Sequence, residues 1–178
     1  MRTGSLAGSA TSGYSAAADR CDTLRMRGLG VLLLLASLLT LGATFASTEE
    51  TGFPRGTATI STGSRQLVLQ VELAATPAQR SRGLMGRRSL APRAGMVFAY
   101  ARSTTGAFWM KNTLIPLDIA FFDSRGRILR ILTMQPCRTD PCRIYDPHVA
   151  YRGALEVNAG SFRRWGVQRG HRIVVRAR

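Results

Sequence analysis

Hydrophobic and polar residues alternate along several short segments from residue 67 onward. In the clearest of these, Leu67, Leu69, Val71 and Leu73 occupy every second position. A period of two is typical of a half-buried β-strand. Similar hydrophobic segments predict further strands at 96–100, 107–110, 117–122, 128–134, 155–157 and 172–176.

Two short helices are predicted among these strands. Thr76, Pro77 and Gln79 form a helix-start sequence with a capping box. We expect this helix to continue to about Met85, with Gly86 as its stop. A second helix is predicted at 160–165, and the polar residues at 123–126 predict a hairpin turn.

The predicted elements are typical of a mainly β (α+β) domain. Short strands at hairpin spacing, with one or two short helices, predict an antiparallel sheet that curls into a sandwich or partial barrel. The sequence has no alternating strand–helix–strand pattern. A doubly wound nucleotide-binding fold is therefore disfavoured.

The N-terminal part of the chain contains an apolar segment at 29–46. Arg25 and Arg27 precede it, its densest apolar part ends at Leu41, and mostly small residues follow at 42–47. This is the order of a cleaved secretory signal. We assign 26–46 to a signal peptide cut near Ala46, and 1–25 to an upstream extension before a true start at Met26. The protein is then periplasmic or extracellular. The alternative is that 29–46 anchors the chain in the inner membrane.

The remaining chain is predicted to form one domain. Residues 47–64 are assigned to a linker and a frayed start, and 65–178 to the domain itself. Cys137 and Cys142 predict a disulfide in an oxidising compartment. His148 and His171 are the only histidines, and they do not complete a four-ligand metal site. We therefore expect neither a metal nor a cofactor.

Composition adds information about binding partners. The 178 residues are 45% hydrophobic and 20% charged, which excludes wholesale disorder and a multi-span membrane protein. The net charge is +15, and Lys111 is the only lysine. Guanidinium groups suit phosphate and carboxylate. We expect a monomer whose partner is anionic (a lipid head group, an acidic polysaccharide or phosphate), with peripheral membrane contact and no specific nucleic acid.

The segment 108–118 has the most unusual composition. Trp109, Lys111, Asn112 and Asp118 are interpreted as the lining of a pocket for a small polar or anionic ligand. In the alternative interpretation, Asn112 caps a turn and Asp118 is an internal hydrogen-bond anchor. In both interpretations Asp118 lies within an apolar strand, so its carboxyl group should have a hydrogen-bond or ion-pair partner. We expect Lys111 or an arginine such as Arg82 as its partner.

A catalytic interpretation requires a second carboxyl group. Asp118 and Glu156 could act as a hydrolase pair, with Lys111 as an electrostatic helper. The sequence lacks a Gly-x-Ser-x-Gly elbow, a phosphate-binding loop, a dinucleotide fingerprint and a zinc motif. An enzyme is therefore the less favoured expectation.

Five segments occur in an order that resembles a known family. They are Arg-Gly-Leu-Met at 82–85, Gly-Met-Val-Phe at 95–98, Phe-Trp-Met-Lys-Asn-Thr at 108–113, Pro-Leu-Asp-Ile at 116–119 and Ala-Leu-Glu-Val-Asn-Ala-Gly at 154–160. Together they resemble the domain of unknown function 192 family over residues 67–176. Gly86 departs from the pattern, because the family commonly has a bulkier residue there.

The resemblance implies a compact, mainly β domain that is often exported in bacteria, and it implies no activity. Its signature positions, to which no catalytic role is attached, are Arg82, Trp109, Lys111, Asn112, Asp118 and Glu156. We expect a small exported, non-enzymatic binding or accessory domain that recognises an anionic ligand at the surface between Trp109 and Asp118. The alternatives are the hydrolase and a purely structural, envelope-associated protein.

Overall fold

A computed structural model describes residues 52–178 of the protein. The segments predicted to be a signal peptide (26–46) and an upstream extension (1–25), and the first part of the predicted linker, lie outside the described residues. Within 52–178 the elements are β1 (Arg55–Ser61), β2 (Gln66–Ala74), α1 (Pro77–Arg82), β3 (Ala94–Thr104), β4 (Phe108–Trp109), β5 (Leu117–Phe122), β6 (Ile128–Met134), β7 (Ile144–Tyr145), β8 (Tyr151–Asn158), α2 (Ser161–Arg164) and β9 (Arg172–Ala177).

Seven of these strands form one curled sheet in the order β6-β5-β8-β3-β2-β1-β9. Neighbouring strands are antiparallel except β2 and β3, which are parallel. The two edge strands approach each other at one point, where Arg127 pairs with Arg172. There the Ile128 N–H donates to the His171 carbonyl at 2.8 Å. The mainly β prediction, with a sheet curled into a partial barrel, is confirmed.

Both faces of strand β5, which lies next to the edge strand β6, are covered. Successive residues of a strand point to opposite faces. Leu117, Ile119 and Phe121 accordingly pack in one hydrophobic cluster, whereas Ala120 and Phe122 pack in another. The sheet therefore separates two cores, and each polar residue of β5 or β8 belongs to one side or the other.

Helix α1 begins as predicted and ends earlier. The Thr76 side chain accepts the Gln79 N–H at 3.2 Å, and the Gln79 side chain accepts the Thr76 N–H at 3.1 Å. This reciprocal pair is the capping box. The helix stops at Arg82 because Gly83 adopts φ 45° and ψ −136°, which reverses the chain. The prediction that the helix continues to Met85, with Gly86 as its stop, is wrong.

Two strand predictions also need correction. β1 lies inside the segment assigned to the linker at 47–64, with Ala58 and Ile60 fully buried. The small and threonine side chains around them give a weak alternation, so the strand is inconspicuous in the sequence. The strand predicted at 107–110 is reduced to β4, which pairs with β7 in a separate two-stranded sheet.

The predicted disulfide between Cys137 and Cys142 is present. It closes a short loop that precedes β7. None of the helices between residues 52 and 178 is both long and apolar enough to cross a membrane.

Candidate functional site

A small cavity lies between the chain reversal after α1 and the turn after β4. Its volume is about 40 Å³. The main chain and side chains around it come from α1, β3, β4, β8 and the two turns. We call it the Glu156 cavity, and its lining residues are Arg80, Ser81, Arg82, Gly83, Leu84, Met85, Phe98, Phe108, Trp109, Thr113 and Glu156.

Hydrogen bonds within and between the two turns fix the walls of the Glu156 cavity. The Gly86 N–H donates to the Asn112 carbonyl at 2.9 Å and so joins one turn to the other. Asn112 has φ 56°, a left-handed conformation that asparagine tolerates. The Thr113 N–H donates to the Met110 carbonyl at 3.1 Å, which closes the second turn. Leu84 is buried in the core beneath them. Two segments that are distant in the sequence are thereby held side by side.

Glu156 lies on β8 at the buried end of this cavity and is only 5% exposed. Its neighbours across the sheet are Met96 on β3 and Ile119 on β5, both fully buried. The carboxyl group forms no hydrogen bond or ion pair with any of residues 52–178. No fully enclosed side-chain oxygen in that range lacks a partner. The Glu156 oxygens must therefore be accessible from the cavity.

Burial controls the charge of this carboxyl group. Removal from water disfavours the carboxylate form and raises the pKa of Glu156 to about 8. At pH 7 the group is mostly a neutral carboxylic acid, which can both donate and accept a hydrogen bond. An acid of this kind at the base of a cavity can change its proton occupancy when a ligand arrives.

Two arginines and a tryptophan complete the opening of the cavity. The Arg80 guanidinium donates to the carbonyls of Ala75 and Ala99, and it stacks on the Tyr100 ring at 4.8 Å. The Arg82 guanidinium lies 5.6 Å from the centre of the Phe53 ring. Trp109 is 51% exposed, a large fraction for an apolar side chain of this size. The opening is therefore positively charged and aromatic.

The structure brings together three of the six predicted site residues, Arg82, Trp109 and Glu156. Lys111 points elsewhere: its Nζ lies 2.8 Å from Asp140 Oδ2 in the disulfide loop. Asn112 contributes its backbone to the turn described above. The alternative interpretation of Asn112 as a turn residue agrees with this geometry.

Asp118 lies apart from the Glu156 cavity and is only 3% exposed. Its Oδ1 accepts from the Thr133 hydroxyl at 2.7 Å, and its Oδ2 accepts from the Phe162 N–H at 3.3 Å. Phe162 is in the first turn of α2, whose N-cap is Gly160 and has no capping side chain. The expectation that Lys111 or Arg82 pairs with Asp118 is wrong. Asp118 is instead the internal hydrogen-bond anchor of the alternative interpretation.

The geometry also separates the two carboxyl groups of the hydrolase alternative. In the register of β5 and β8, Asp118 is opposite Val157 and Ile119 is opposite Glu156. Residues opposite each other across a ladder share a face, and consecutive residues do not. Asp118 and Glu156 therefore point to opposite faces of the sheet. The arrangement that two-carboxylate hydrolysis requires is not formed by this pair.

Sequence reasoning missed other parts of the cavity. Arg80 and Thr113 line the cavity but were not among the six predicted site residues. Gly83 was not considered, although a Cβ there would lie 3.2 Å from Phe98 Cζ. The only sequence signal was the Arg-Gly-Leu-Met segment, which the family resemblance singled out.

Comparison with known proteins gives a family and two similar structures. The model of the DUF192 family, described as an uncharacterized ACR, matches residues 58–175. A structure described as a "putative transcription regulator" from Sinorhizobium meliloti 1021 is 38% identical, with a TM-score of 0.66 over 71% of this chain and 97% of that one. A protein of unknown function from Novosphingobium aromaticivorans DSM 12444 is 30% identical, with a TM-score of 0.65 over 71% and 89%. No curated protein gives a significant match.

Proposed function

The chain belongs to the DUF192 family, and from its geometry we propose that it is a non-enzymatic domain that binds a small anionic ligand at the Glu156 cavity. The observation that carries this proposal is the convergence of Arg82, Trp109 and Glu156 on one cavity. These three residues come from three distant segments of the chain. A purely structural role would not require an exposed indole beside a buried carboxyl group.

Charge supports an anionic ligand. Arg80 and Arg82 line the cavity, and among residues 52–178 Glu156 is the only acidic residue that lines it. Because burial raises the pKa of Glu156, this acid contributes little negative charge at pH 7. Guanidinium groups form strong, directional hydrogen bonds to carboxylate and phosphate.

The lining residues favour binding over hydrolysis. They include one carboxyl group and no histidine or cysteine. General acid–base catalysis by paired carboxyl groups requires two of them within reach of the substrate. The proposal therefore uses the Trp109 end of the surface predicted between Trp109 and Asp118, and it assigns Asp118 to the support of α2.

We also propose that the protein is exported. The disulfide between Cys137 and Cys142 supports this, because such bonds persist in oxidising compartments. The proposed signal peptide at 26–46 is tested by N-terminal sequencing of the secreted protein. A mature N-terminus at Ser47 would support cleavage after Ala46, and an intact segment 29–46 in the membrane fraction would support the anchor instead.

Anion binding can be measured through Trp109. In a Trp165→Phe background all tryptophan emission comes from Trp109, because the chain has two tryptophans. Phosphate, glucuronate and glycerol phosphate serve as probes of the three anionic classes. We expect at least one to change the emission in a saturable manner, and Arg82→Gln to weaken its binding about tenfold.

Arg163→Gln is the matched control, because Arg163 borders a different cavity, beside Asp118 and α2. It removes the same charge and should leave the dissociation constant unchanged. Equal losses in the two variants would indicate a nonspecific effect of net charge. Binding that is insensitive to Arg82→Gln would contradict the proposal.

A further inference from the structure

We infer that the ligand of the Glu156 cavity is a zwitterion, whose ammonium group enters the cavity to meet the Glu156 carboxyl while its anionic group stays at the opening beside Arg82. This inference rests on the proposed function and names the chemical class of its ligand. It follows from the size of the cavity, from the acid that has no partner among residues 52–178, and from the contrast between the buried Glu156 and the exposed Arg82.

Size limits which group can enter. A volume of 40 Å³ has room for about three non-hydrogen atoms, since one water needs roughly 10–15 Å³ on the same scale. A terminal aminomethyl group fits this space. A phosphate, with its five non-hydrogen atoms, does not. The anionic group of the ligand must therefore remain at the opening.

The Glu156 carboxyl offers hydrogen-bonding atoms to a group that enters the cavity. The Glu156 carboxyl has no partner among residues 52–178, and its oxygens are accessible from the cavity, where an entering group can bond to them. An entering carboxylate could bond only to the protonated form of Glu156. An entering ammonium group would instead form a charged pair with Glu156. The side chains of Leu84, Phe98 and Phe108 form part of the lining and reduce the access of water to such a pair.

The charged side chains around the cavity are placed where a zwitterion could contact them. The residues facing it on β3 and β5 are Met96 and Ile119, which carry no charge. The two positive side chains of the cavity, Arg80 and Arg82, come from α1. Acid and guanidinium groups thus occupy different segments of the lining. A zwitterion can contact both the acid and a guanidinium group, whereas a simple anion or a simple cation can contact only one of them.

The test uses small ligands that differ in charge and length. Glycine, β-alanine and 4-aminobutyrate carry both charges at increasing separation, propionate carries only the anion, and ethylamine only the cation. Binding is followed by Trp109 emission in the Trp165→Phe protein. We expect one amino acid to bind at least about tenfold more tightly than propionate and ethylamine.

Proton release provides an independent readout that needs no variant. Because Glu156 is mostly protonated at pH 7, an incoming ammonium group displaces its proton to the buffer. Calorimetry in two buffers of different ionisation enthalpy should then report the release of about one proton per ligand bound. Glu156→Gln, which preserves the shape of the neutral acid, should abolish both the release and the preference for the amino acid.

The possible failures are distinguishable. If propionate binds as tightly as the best amino acid, without proton release and with loss of affinity in Arg82→Gln, the zwitterion inference is overturned and anion binding stands. If ethylamine binds best, the arginines have no role and both proposals fail. If none of the amino acids, propionate, phosphate or glucuronate binds, both proposals fail as well.

Discussion

The Asp118 carboxylate caps helix α2 from a neighbouring strand, because its Oδ2 accepts the N–H of Phe162. The other oxygen is bonded to Thr133 on β6. A single buried side chain thus joins β5, β6 and the first turn of α2. The cap is tertiary and cannot be recognised from the residues that adjoin the helix in sequence.

Removing this carboxylate should destabilise the domain. Asp118→Ala loses two hydrogen bonds to a charged acceptor and leaves the Phe162 N–H without a partner, at a cost of about 3 kcal/mol. For a domain of this size the thermal midpoint should fall by roughly 10 °C. Thermal unfolding followed by circular dichroism in oxidising buffer measures this midpoint. Thr133→Val removes only one of the two bonds and should cost less; an equal or larger loss would contradict the capping role.

The buried acid at the other site should make stability depend on pH. In the folded protein the pKa of Glu156 is about 8, against 4.5 as the ordinary value. The folded state therefore binds the proton more tightly than the unfolded chain does. Its contribution is fully present below pH 4.5 and is lost progressively as the pH rises to about 8.

Urea unfolding of the wild type and of Glu156→Gln between pH 5 and 8.5 tests this linkage. The wild type should lose several kcal/mol across this range relative to the variant, which has no proton to lose at this position. Glu72→Gln, at an ion pair with Arg87 that is part exposed, is the matched control. Parallel profiles for the wild type and Glu156→Gln would show that Glu156 is ionised in the folded protein.

Replacing Gly83 in the turn after α1 should destabilise the domain more than replacing Gly86. Gly83 has φ 45°, and an added Cβ would press against the Phe98 ring. Gly83→Ala should therefore destabilise the domain by about 3 kcal/mol, from both backbone strain and overpacking. Gly86 has φ 75° but open space around it, so Gly86→Ala should cost about 1 kcal/mol. Chemical denaturation of the two variants compares them, and equal losses would show that the Phe98 contact is unimportant.

The disulfide should contribute more to stability than the ion pair beside it. Cys137 and Cys142 are separated by five positions, and closing so short a loop contributes about 2 kcal/mol. The exposed pair between Lys111 and Asp140 contributes at most about 1 kcal/mol. We expect Cys137→Ser with Cys142→Ser to lower the thermal midpoint by several degrees and Lys111→Met to lower it little. The reverse order would mean that Lys111 holds the loop in place.

Local sequence signals account for most of the sheet. The alternation from Leu67 to Leu73 marks β2, and Thr76, Pro77 and Gln79 mark the start of α1, because these signals depend only on neighbouring residues. β1 was not predicted because it has few buried hydrophobic side chains, Ala58 and Ile60, and one of them is small.

The Glu156 cavity could be predicted only in part. Arg82, Trp109 and Glu156 were candidates, but nothing in the sequence indicated that Glu156 and Asp118 would face opposite cores. That outcome depends on the register of β5 against β8, which is a long-range pairing. The partner of Asp118 was missed for the same reason, since the helix it caps lies 43 or more positions further along the chain.

The pairing of β1 with β9 has a consequence for when the domain can fold. β1 is the first described strand and β9 the last, and Thr59 lies opposite Val174. Closing so large a loop is entropically costly and makes folding slow. During synthesis β1 lacks one of its two neighbours until residues 172–177 have left the ribosome. The growing chain therefore remains incompletely folded until its last strand is available, which favours recognition by chaperones before the sheet closes.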